Sequence, residues 1–249
     1  MLKGKGVSTG IGFGKIVILK NEEKVIEKRT VENPEAEMQK FKQAFNQVIK
    51  ETEEMVSKLS GTELDIMQAY LMIMQDPSLI SETENAITNL NYSAEYAVEV
   101  GFNSVIQIFE NMDDEYMAAR SRDIADIKNR VLSKLFNEET INISKLEENT
   151  IIVAKELTTS DTAKLDFKNV SGIITELGGT NSHTSIMART HAIPAITKVE
   201  EATKIFRNGD YVAIDGLSGE IYLNPSEEEK QKLFKLKEEI QKENQELEK

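Results

Sequence analysis

The fold of this chain is decided by one stretch of sequence, VSGIITELGGTNSHTSIMART, which runs from Val170 to Thr190. Its first six residues are rich in β-branched side chains, which predicts a buried strand over 170–175. Gly178 and Gly179 follow this strand, and an apolar segment with helical spacing begins just after His183. A strand, a glycine turn and a helix in this order are typical of an α/β domain.

The sequence on both sides of this stretch has the same mixed character. A short helix is predicted around 160–165, and the Gly pairs Asp215-Gly216 and Ser218-Gly219 supply the turn residues of a hairpin. Apolar and β-branched runs predict further strands at 15–20, 150–154, 211–214 and 220–223, and 25–26 is a candidate start for another.

The middle of the chain, from 34 to 137, is helical in pattern. Asn33-Pro34 and Asp76-Pro77 each combine an N-cap residue with proline at the first helical position, so both predict the start of a helix. Apolar residues then recur three or four apart. Helices joined by such short turns pack as neighbours, and this part of the chain is therefore predicted to be a bundle.

Together these patterns predict an α/β domain into which a helical domain is inserted. The last segment, from Asn224-Pro225 onwards, predicts a charged helix with few apolar residues. A lone helix this polar is usually held by a neighbour or leads into one. Our hypothesis is that it is a linker and that a longer parent chain continues beyond it.

Composition excludes several classes of function. The 249 residues contain 30 Lys and Arg against 43 Asp and Glu, a net charge of −13, which disfavours nucleic acid and anionic membranes as partners and favours a protein with a basic face. The absence of cysteine excludes disulfides, thiolate catalysis and thiolate zinc sites. We read no signal peptide and no apolar run of about 18 residues, so we expect a cytoplasmic protein without membrane insertion.

His183 is the candidate catalytic residue, because it is placed at the N-terminus of a helix. Unpaired backbone N–H groups and the positive end of the helix dipole receive a phosphate there and disfavour imidazolium, leaving the nucleophilic neutral ring. Gly179 allows close approach of the backbone. The expected hydroxyl donors to phosphoryl oxygens are Ser182, Thr184 and Ser185.

On composition alone, a histidine that merely caps a polar turn is the better interpretation, since glycine-rich turns are common. A P-loop is excluded because no Gly-Lys-Ser/Thr follows the glycines, and no Gly-x-Ser-x-Gly elbow indicates a hydrolase. Two histidines and no cysteine also make a metal site a poor interpretation.

Four segments carry a resemblance to one family. Residues 178–190, followed by Ile-Pro-Ala-Ile at 193–196, resemble the active-site signature of Enzyme I of the bacterial phosphoenolpyruvate:sugar phosphotransferase system. GVSTGIGFGK at 6–15 resembles the opening of that family. MDDEYM at 112–117 and LTTSDT at 157–162 resemble its helical domain and the segment before its histidine loop. The resemblance covers essentially the whole chain, in order.

The resemblance implies that His183 accepts a phosphoryl group on Nε2 from phosphoenolpyruvate and passes it to a histidine of the carrier HPr. It implies that Thr162 hydrogen-bonds His183 in the unphosphorylated enzyme, although from its sequence alone Thr162 is an ordinary helix-start hydroxyl. It also implies a C-terminal barrel domain, absent from this chain, that binds phosphoenolpyruvate with magnesium and forms the dimer. We expect no cofactor in this chain itself, only exchange with HPr.

The resemblance further implies a domain organisation and a docking face. The swivelling phosphohistidine domain is expected at 1–30 and 140–226, an inserted HPr-binding domain of four helices in two hairpins at 33–138, and a linker helix at 227–249. Core packing is the simpler interpretation of most apolar residues in the bundle. The contacts with HPr are expected near Met72, Leu79, Phe109, Met112, Met117 and Arg120.

Some positions depart from the family pattern. Thr180-Asn181 stands where the family usually has Arg-Thr, and Tyr70 where it usually has a histidine. His191 is interpreted as a surface residue and Arg189 as part of a surface ion pair. Two alternatives stay open: the phosphohistidine domain of a pyruvate phosphate dikinase or phosphoenolpyruvate synthase, and a non-enzymatic helical interaction module.

Overall fold

The structure is a computed structural model that describes residues 2–19, 25–138 and 143–247. Contacts divide the chain into two units. One unit comprises 1–22, 142–157 and 164–249, and the other comprises 23–141 and 158–163. In the described part of the chain, no helix is both long enough and apolar enough to cross a membrane.

The first unit is built on a mixed sheet, which contains eight strands among the described residues and has the order β1-β8-β7-β3-β4-β5-β6-β2. The strands are β1 (Leu2–Lys3), β2 (Lys5–Ser8), β3 (Ile11–Leu19), β4 (Thr150–Ala154), β5 (Val170–Thr175), β6 (Ala195–Thr197), β7 (Tyr211–Asp215) and β8 (Glu220–Leu223). Strands β3 to β6 run parallel, and β7 and β8 form the predicted antiparallel hairpin. Strands β1 and β2 lie at opposite edges of the sheet. Because Gly4 alone separates them in the chain, the two edges approach each other.

Both faces of this sheet are covered by apolar clusters, and alternate residues of a strand belong to different clusters. In β4, Ile152 and Ala154 belong to the apolar cluster that contains Ala188 of helix α7 (His183–Thr190). Ile151 and Val153 belong instead to the cluster that includes helix α8 (Ala202–Ile205). Successive residues of a strand point to opposite faces, so the near-continuous apolar run of β4 is the expected sequence of a strand buried on both sides.

The last helix, α9 (Glu227–Leu247), packs against the sheet. Leu233 is buried with Ile11 and Ala213, and the rings of Phe13 and Phe234 stack with their centroids 4.3 Å apart. The few apolar residues of this charged helix are therefore used to attach it to β3 and β7. The prediction that a neighbour holds the helix is confirmed, and its role as a linker stays a prediction.

The second unit contains the helical insertion. Its helices are α1 (Pro34–Val56), α2 (Gly61–Met74), α3 (Pro77–Leu90), α4 (Ala94–Glu110), α5 (Glu115–Leu135) and the short α6 (Thr159–Lys164), whose last residue falls in the first unit. Described residues 34–135 thus form five helices where four were expected, because Asp76-Pro77 ends one helix and begins the next. The centre of its core holds Phe41, Tyr70, Ile87 and Phe102, all with no exposed surface.

Both predicted cap-and-proline helix starts are confirmed. The Asn33 side chain accepts a hydrogen bond from the Ala36 N–H at 3.1 Å, and the Asp76 carboxylate accepts one from the Ser78 N–H at 2.9 Å. The Ser78 backbone N–H, and after it the Ser78 hydroxyl, lowers the pKa of Asp76. The helix starts are therefore dictated by local side-chain chemistry.

Three features differ from the prediction. Residues 25–26 form no strand, and Val25 is 94% exposed. The short strand β6 was not predicted, because three residues carry too little pattern. Segment 158–163 was assigned to the α/β domain, yet it belongs to the helical unit, where aspartates of α5 bind its first turn.

Candidate phosphoryl-acceptor site

His183 is the first residue of α7, on the loop that follows β5. Within this loop Gly178 has φ +105°, a conformation that glycine adopts without strain, and Ser182 ends the loop as the N-cap of the helix. The imidazole is half-buried, and its Nδ1 atom is buried. The exposed part of the ring therefore excludes Nδ1.

Hydrogen bonds within the loop hold its shape. The Ser182 N–H and the Ser185 hydroxyl both donate to the Gly179 carbonyl, at 3.1 and 2.7 Å. The Ser182 hydroxyl accepts from the Ser185 N–H at 3.3 Å and donates to the Ser185 hydroxyl at 3.0 Å. The loop is thus closed onto the first turn of α7 immediately before His183.

The four predicted phosphate-binding residues divide into two pairs. Thr184 and Ser185 are buried, and their hydroxyls donate to the carbonyls of Leu157 and Gly179. In this structure both hydroxyls therefore support the fold, and their binding of phosphoryl oxygens stays a prediction. Ser182 is half-buried, and Gly179 has open space where a Cβ would lie, so this pair borders the accessible side of the loop.

Arg189 reaches back from the last turn of α7 to the same loop. One guanidinium nitrogen, Nη1, donates to the Thr180 carbonyl at 2.9 Å and to the Val7 carbonyl of β2 at 3.2 Å. The predicted surface ion pair is wrong, since the partners are backbone carbonyls. Backbone carbonyls carry no net charge, so these two bonds do not cancel the positive charge of the guanidinium. This charge lies beside Thr180-Asn181, where the family pattern has an arginine.

We expect Arg189→Gln to loosen the loop, because the shorter neutral side chain cannot bridge the Thr180 and Val7 carbonyls. Amide hydrogen exchange over 178–182 should accelerate, and phosphoryl transfer through His183 should slow by about tenfold if the loop positions the ring. Arg189→Lys is the matched control, since it keeps the charge but loses the planar fork. Unchanged exchange rates of the loop amides in Arg189→Gln would contradict this role.

The second histidine lies in a different environment. His191 is the C-cap residue of α7 and is exposed. Its ring stacks on that of Phe167, with centroids 4.1 Å apart and planes inclined by 11°. The prediction that His191 is a surface residue is confirmed, and this position makes it a suitable control for His183.

Thr162 lies in the second half of α6, within the helical unit. It is buried, and its hydroxyl donates to the Thr159 carbonyl at 2.9 Å. This bond uses the one proton of the hydroxyl, so donating to the lone pair of a ring nitrogen of His183 would require the hydroxyl to leave the Thr159 carbonyl. The expected bond between Thr162 and His183 stays a prediction.

The predicted docking residues occupy different environments within the helical unit. Leu79 is only 2% exposed and belongs to the core, and its contact with a partner stays a prediction. Phe109 is half-buried against the core, and Arg120 donates to the Asp123 carboxylate at 3.1 Å. Three of the predicted docking residues are apolar and exposed: Met72 at 71%, Met112 at 40% and Met117 at 37%.

Ile108 was not predicted as a docking residue, and it is 57% exposed near the end of α4. The core residues of this helix, Val98, Gly101 and Phe102, are continued by half-buried Phe109. Ile108 lies off that stripe, and the periodicity of α4 could have identified it. Together with Met112 and Met117 it surrounds the turn between α4 and α5, which also carries the acidic residues 113–114.

Comparisons with known proteins cover most of the chain. The family described as PEP-utilising enzyme, N-terminal, matches residues 3–120, and the family described as PEP-utilising enzyme, mobile domain, matches residues 146–219. The solution structure of an Enzyme I protein aligns with a TM-score of 0.82 and 35% identity, covering 97% of this chain and 100% of that one. The chain belongs to the Enzyme I family.

Curated relatives in the Enzyme I family are named phosphoenolpyruvate-protein phosphotransferase. The protein from Priestia megaterium is 38% identical over 231 residues, covering 91% of this chain and 40% of the relative. The protein from Bacillus subtilis is 36% identical with the same coverage. The chain thus spans about 40% of the length of these relatives.

A more distant neighbour shares the fold of this Enzyme I family member. The structure of the N-terminal domain of Enzyme 1 – Nitrogen aligns with a TM-score of 0.62 and 19% identity, covering 95% of this chain and 99% of that one. The predicted fold class, a phosphohistidine-type α/β domain with an inserted helical domain, is confirmed by the likeness to the Enzyme I structure. The alternative families weighed from the sequence are not favoured.

Proposed function

We propose that this chain carries a phosphoryl group on His183 and exchanges it reversibly with a histidine of HPr. The observation that carries the proposal is the position of the imidazole: it begins α7, is half-exposed, and has its Nδ1 atom buried. A carrier histidine must be reached by another protein and must offer one nitrogen to it. The family membership and the family matches support the same function.

In the transfer step, the lone pair on Nε2 of His183 attacks the phosphorus of the phosphohistidine on HPr. A nitrogen–phosphorus bond forms at His183 while the one to the carrier breaks, and the carrier imidazole leaves with the electron pair. This chemistry requires a neutral His183 with its proton on Nδ1. The first backbone N–H groups of α7 and the helix dipole would stabilise the negative phosphoryl oxygens.

HPr would dock on the helical unit. Three exposed apolar residues of this unit, Ile108, Met112 and Met117, lie near the turn between α4 and α5, and methionine adapts its shape to partner surfaces. The net charge of −13 favours a carrier with a basic face. We place this exchange in the cytoplasm, where phosphorylated HPr would be available.

Charging from phosphoenolpyruvate would belong to a C-terminal domain of the longer protein. That domain would bind phosphoenolpyruvate with magnesium, and this chain spans only about 40% of its relatives. Within the residues that the structure describes, no group of three or more His, Asp or Glu could hold a metal ion.

The proposal is tested by labelling the chain with radioactive phosphate from two donors. Mixing with phosphorylated HPr should transfer the label within seconds to a phosphate that is stable in base and labile in acid. Incubation with phosphoenolpyruvate and magnesium alone should leave the chain unlabelled. Failure of the first transfer contradicts exchange with HPr, and labelling by phosphoenolpyruvate alone contradicts the division between the two domains.

A further inference from the structure

Helix α6 lies between two strands of the first unit, β4 and β5, in the sequence. All but its last residue nevertheless belong to the helical unit. With six residues, α6 is too short to be stable alone, since isolated helices need about 12–15 residues. Something in the helical unit must therefore hold it. The first two residues of α6, Thr159 and Ser160, are both buried, at 4% and 2% exposure.

Two carboxylates of α5 hold this first turn. The Asp123 carboxylate accepts a hydrogen bond from the Thr159 hydroxyl at 2.7 Å. The Asp126 carboxylate accepts from the Ser160 N–H at 3.1 Å and from the Ser160 hydroxyl at 3.0 Å. Three residues apart on a helix, the two aspartates lie on one face, and both are at least 95% buried. Negative charge at the N-terminus of α6 is also favourable for the helix dipole.

A second layer of buried groups holds Asp126 in place. The Tyr70 hydroxyl donates to Asp126 at 3.0 Å, and Arg130 donates to the Tyr70 hydroxyl at 3.4 Å and to the Thr52 hydroxyl at 2.8 Å. Burial, and after it the charge of Asp126, raises the pKa of Tyr70 well above its usual range, so this hydroxyl stays a donor. Charged groups this deeply buried are costly, and here each is met by hydrogen bonds.

These contacts end one turn before Thr162. Its N–H donates to the Thr158 carbonyl at 3.1 Å and its hydroxyl to the Thr159 carbonyl at 2.9 Å, so its place depends on the anchored first turn. We infer that Asp126, with Asp123, is a positioning residue for phosphoryl transfer, which acts by holding the Thr162 hydroxyl. The inference rests on the proposed function together with the predicted hydrogen bond between Thr162 and His183.

The experiment is a double-mutant cycle on the rate of phosphoryl exchange with HPr. Thr162→Ala and Asp126→Ala should each slow the exchange, by about 10-fold to 100-fold if the hydroxyl orients the ring. In the double variant the two effects should not multiply, because Asp126 acts through Thr162. Full multiplication of the two effects would overturn the inference.

Two further variants separate positioning from loss of stability. Ser160→Ala removes one hydrogen bond to Asp126 and should slow exchange in the same direction, with faster amide exchange over 160–163. Ile127→Val, a buried core change on α5, is the control and should leave the transfer rate unchanged below the unfolding temperature. Equal slowing in Ile127→Val would mean that stability alone matters.

The cycle also distinguishes the inference from the proposed function. If Thr162→Ala transfers at the normal rate, the proposed bond between Thr162 and His183 is wrong, and the positioning role of Asp126 falls with it. If Thr162→Ala is slow but Asp126→Ala is not, the proposed function stands and only the inference fails. The imidazole ¹⁵N chemical shifts of His183 give an independent readout, and they should change alike in both single variants.

Discussion

Replacing His183 by alanine should abolish labelling by phosphorylated HPr. Alanine has no nitrogen to form a bond with phosphorus, and among the described groups of the α7 loop the hydroxyls of Thr184 and Ser185 are buried and donate to carbonyls. Neither of these two hydroxyls is therefore placed to substitute for the imidazole. The measurement is the amount of acid-labile phosphate on the chain after mixing, which should fall by at least 100-fold, as expected when a nucleophile is removed.

The matched control is His191→Ala, because the chain contains two histidines. His191 stacks on Phe167 at the far end of α7 and should have no part in the transfer. This variant should label as the unmodified chain does. Label that survives in His183→Ala but disappears in His191→Ala would show that the acceptor has been wrongly assigned.

Introducing a negative charge into the exposed apolar residues at the turn between α4 and α5 should weaken exchange with HPr. Ile108→Glu and Met112→Glu each place a charge where an apolar side chain would be buried by the carrier, and burying an unpaired charge is costly. We expect the HPr concentration for half-maximal rate to rise by roughly tenfold, the typical cost of losing an interface anchor. The rate at saturating HPr should change little, since the imidazole is unaltered.

Leu90→Glu is the control for this surface, since Leu90 is a 50% exposed apolar residue at the end of α3 and outside the predicted contacts. It should leave the half-maximal concentration unchanged.

Raising the ionic strength should slow exchange in the unmodified chain, because salt screens the attraction between an acidic protein and a basic carrier. A salt-independent rate, or equal loss in Leu90→Glu, would argue against docking on this surface.

Local chemistry made much of the fold predictable. Asn33-Pro34 and Asp76-Pro77 begin helices because the cap and the proline act on residues next to them in the chain. The hairpin of β7 and β8 was predicted from its glycine turn, and the start of α7 from the loop before His183. Each of these features depends on residues only a few positions apart.

The environment of individual side chains could not be predicted in the same way. Thr184 and Ser185 have the composition of phosphate ligands, but the packing of α7 on the sheet turns both hydroxyls inward. Leu79 is exposed or buried depending on which face of α3 meets the bundle, and its sequence neighbours do not say which. Ile108 differs, because it lies off the apolar stripe of α4 and the periodicity of that helix could have identified it.

The order of residues therefore determined which segments become helices and strands, and it placed one histidine at a helix N-terminus. Contacts between residues far apart in the chain determined the rest. Arg189 donates to the Val7 carbonyl, 182 residues away in the chain. Asp126 accepts a hydrogen bond from the Ser160 N–H, 34 residues away. Such pairs form only when the apolar cores bring their elements together, so local sequence patterns do not predict them.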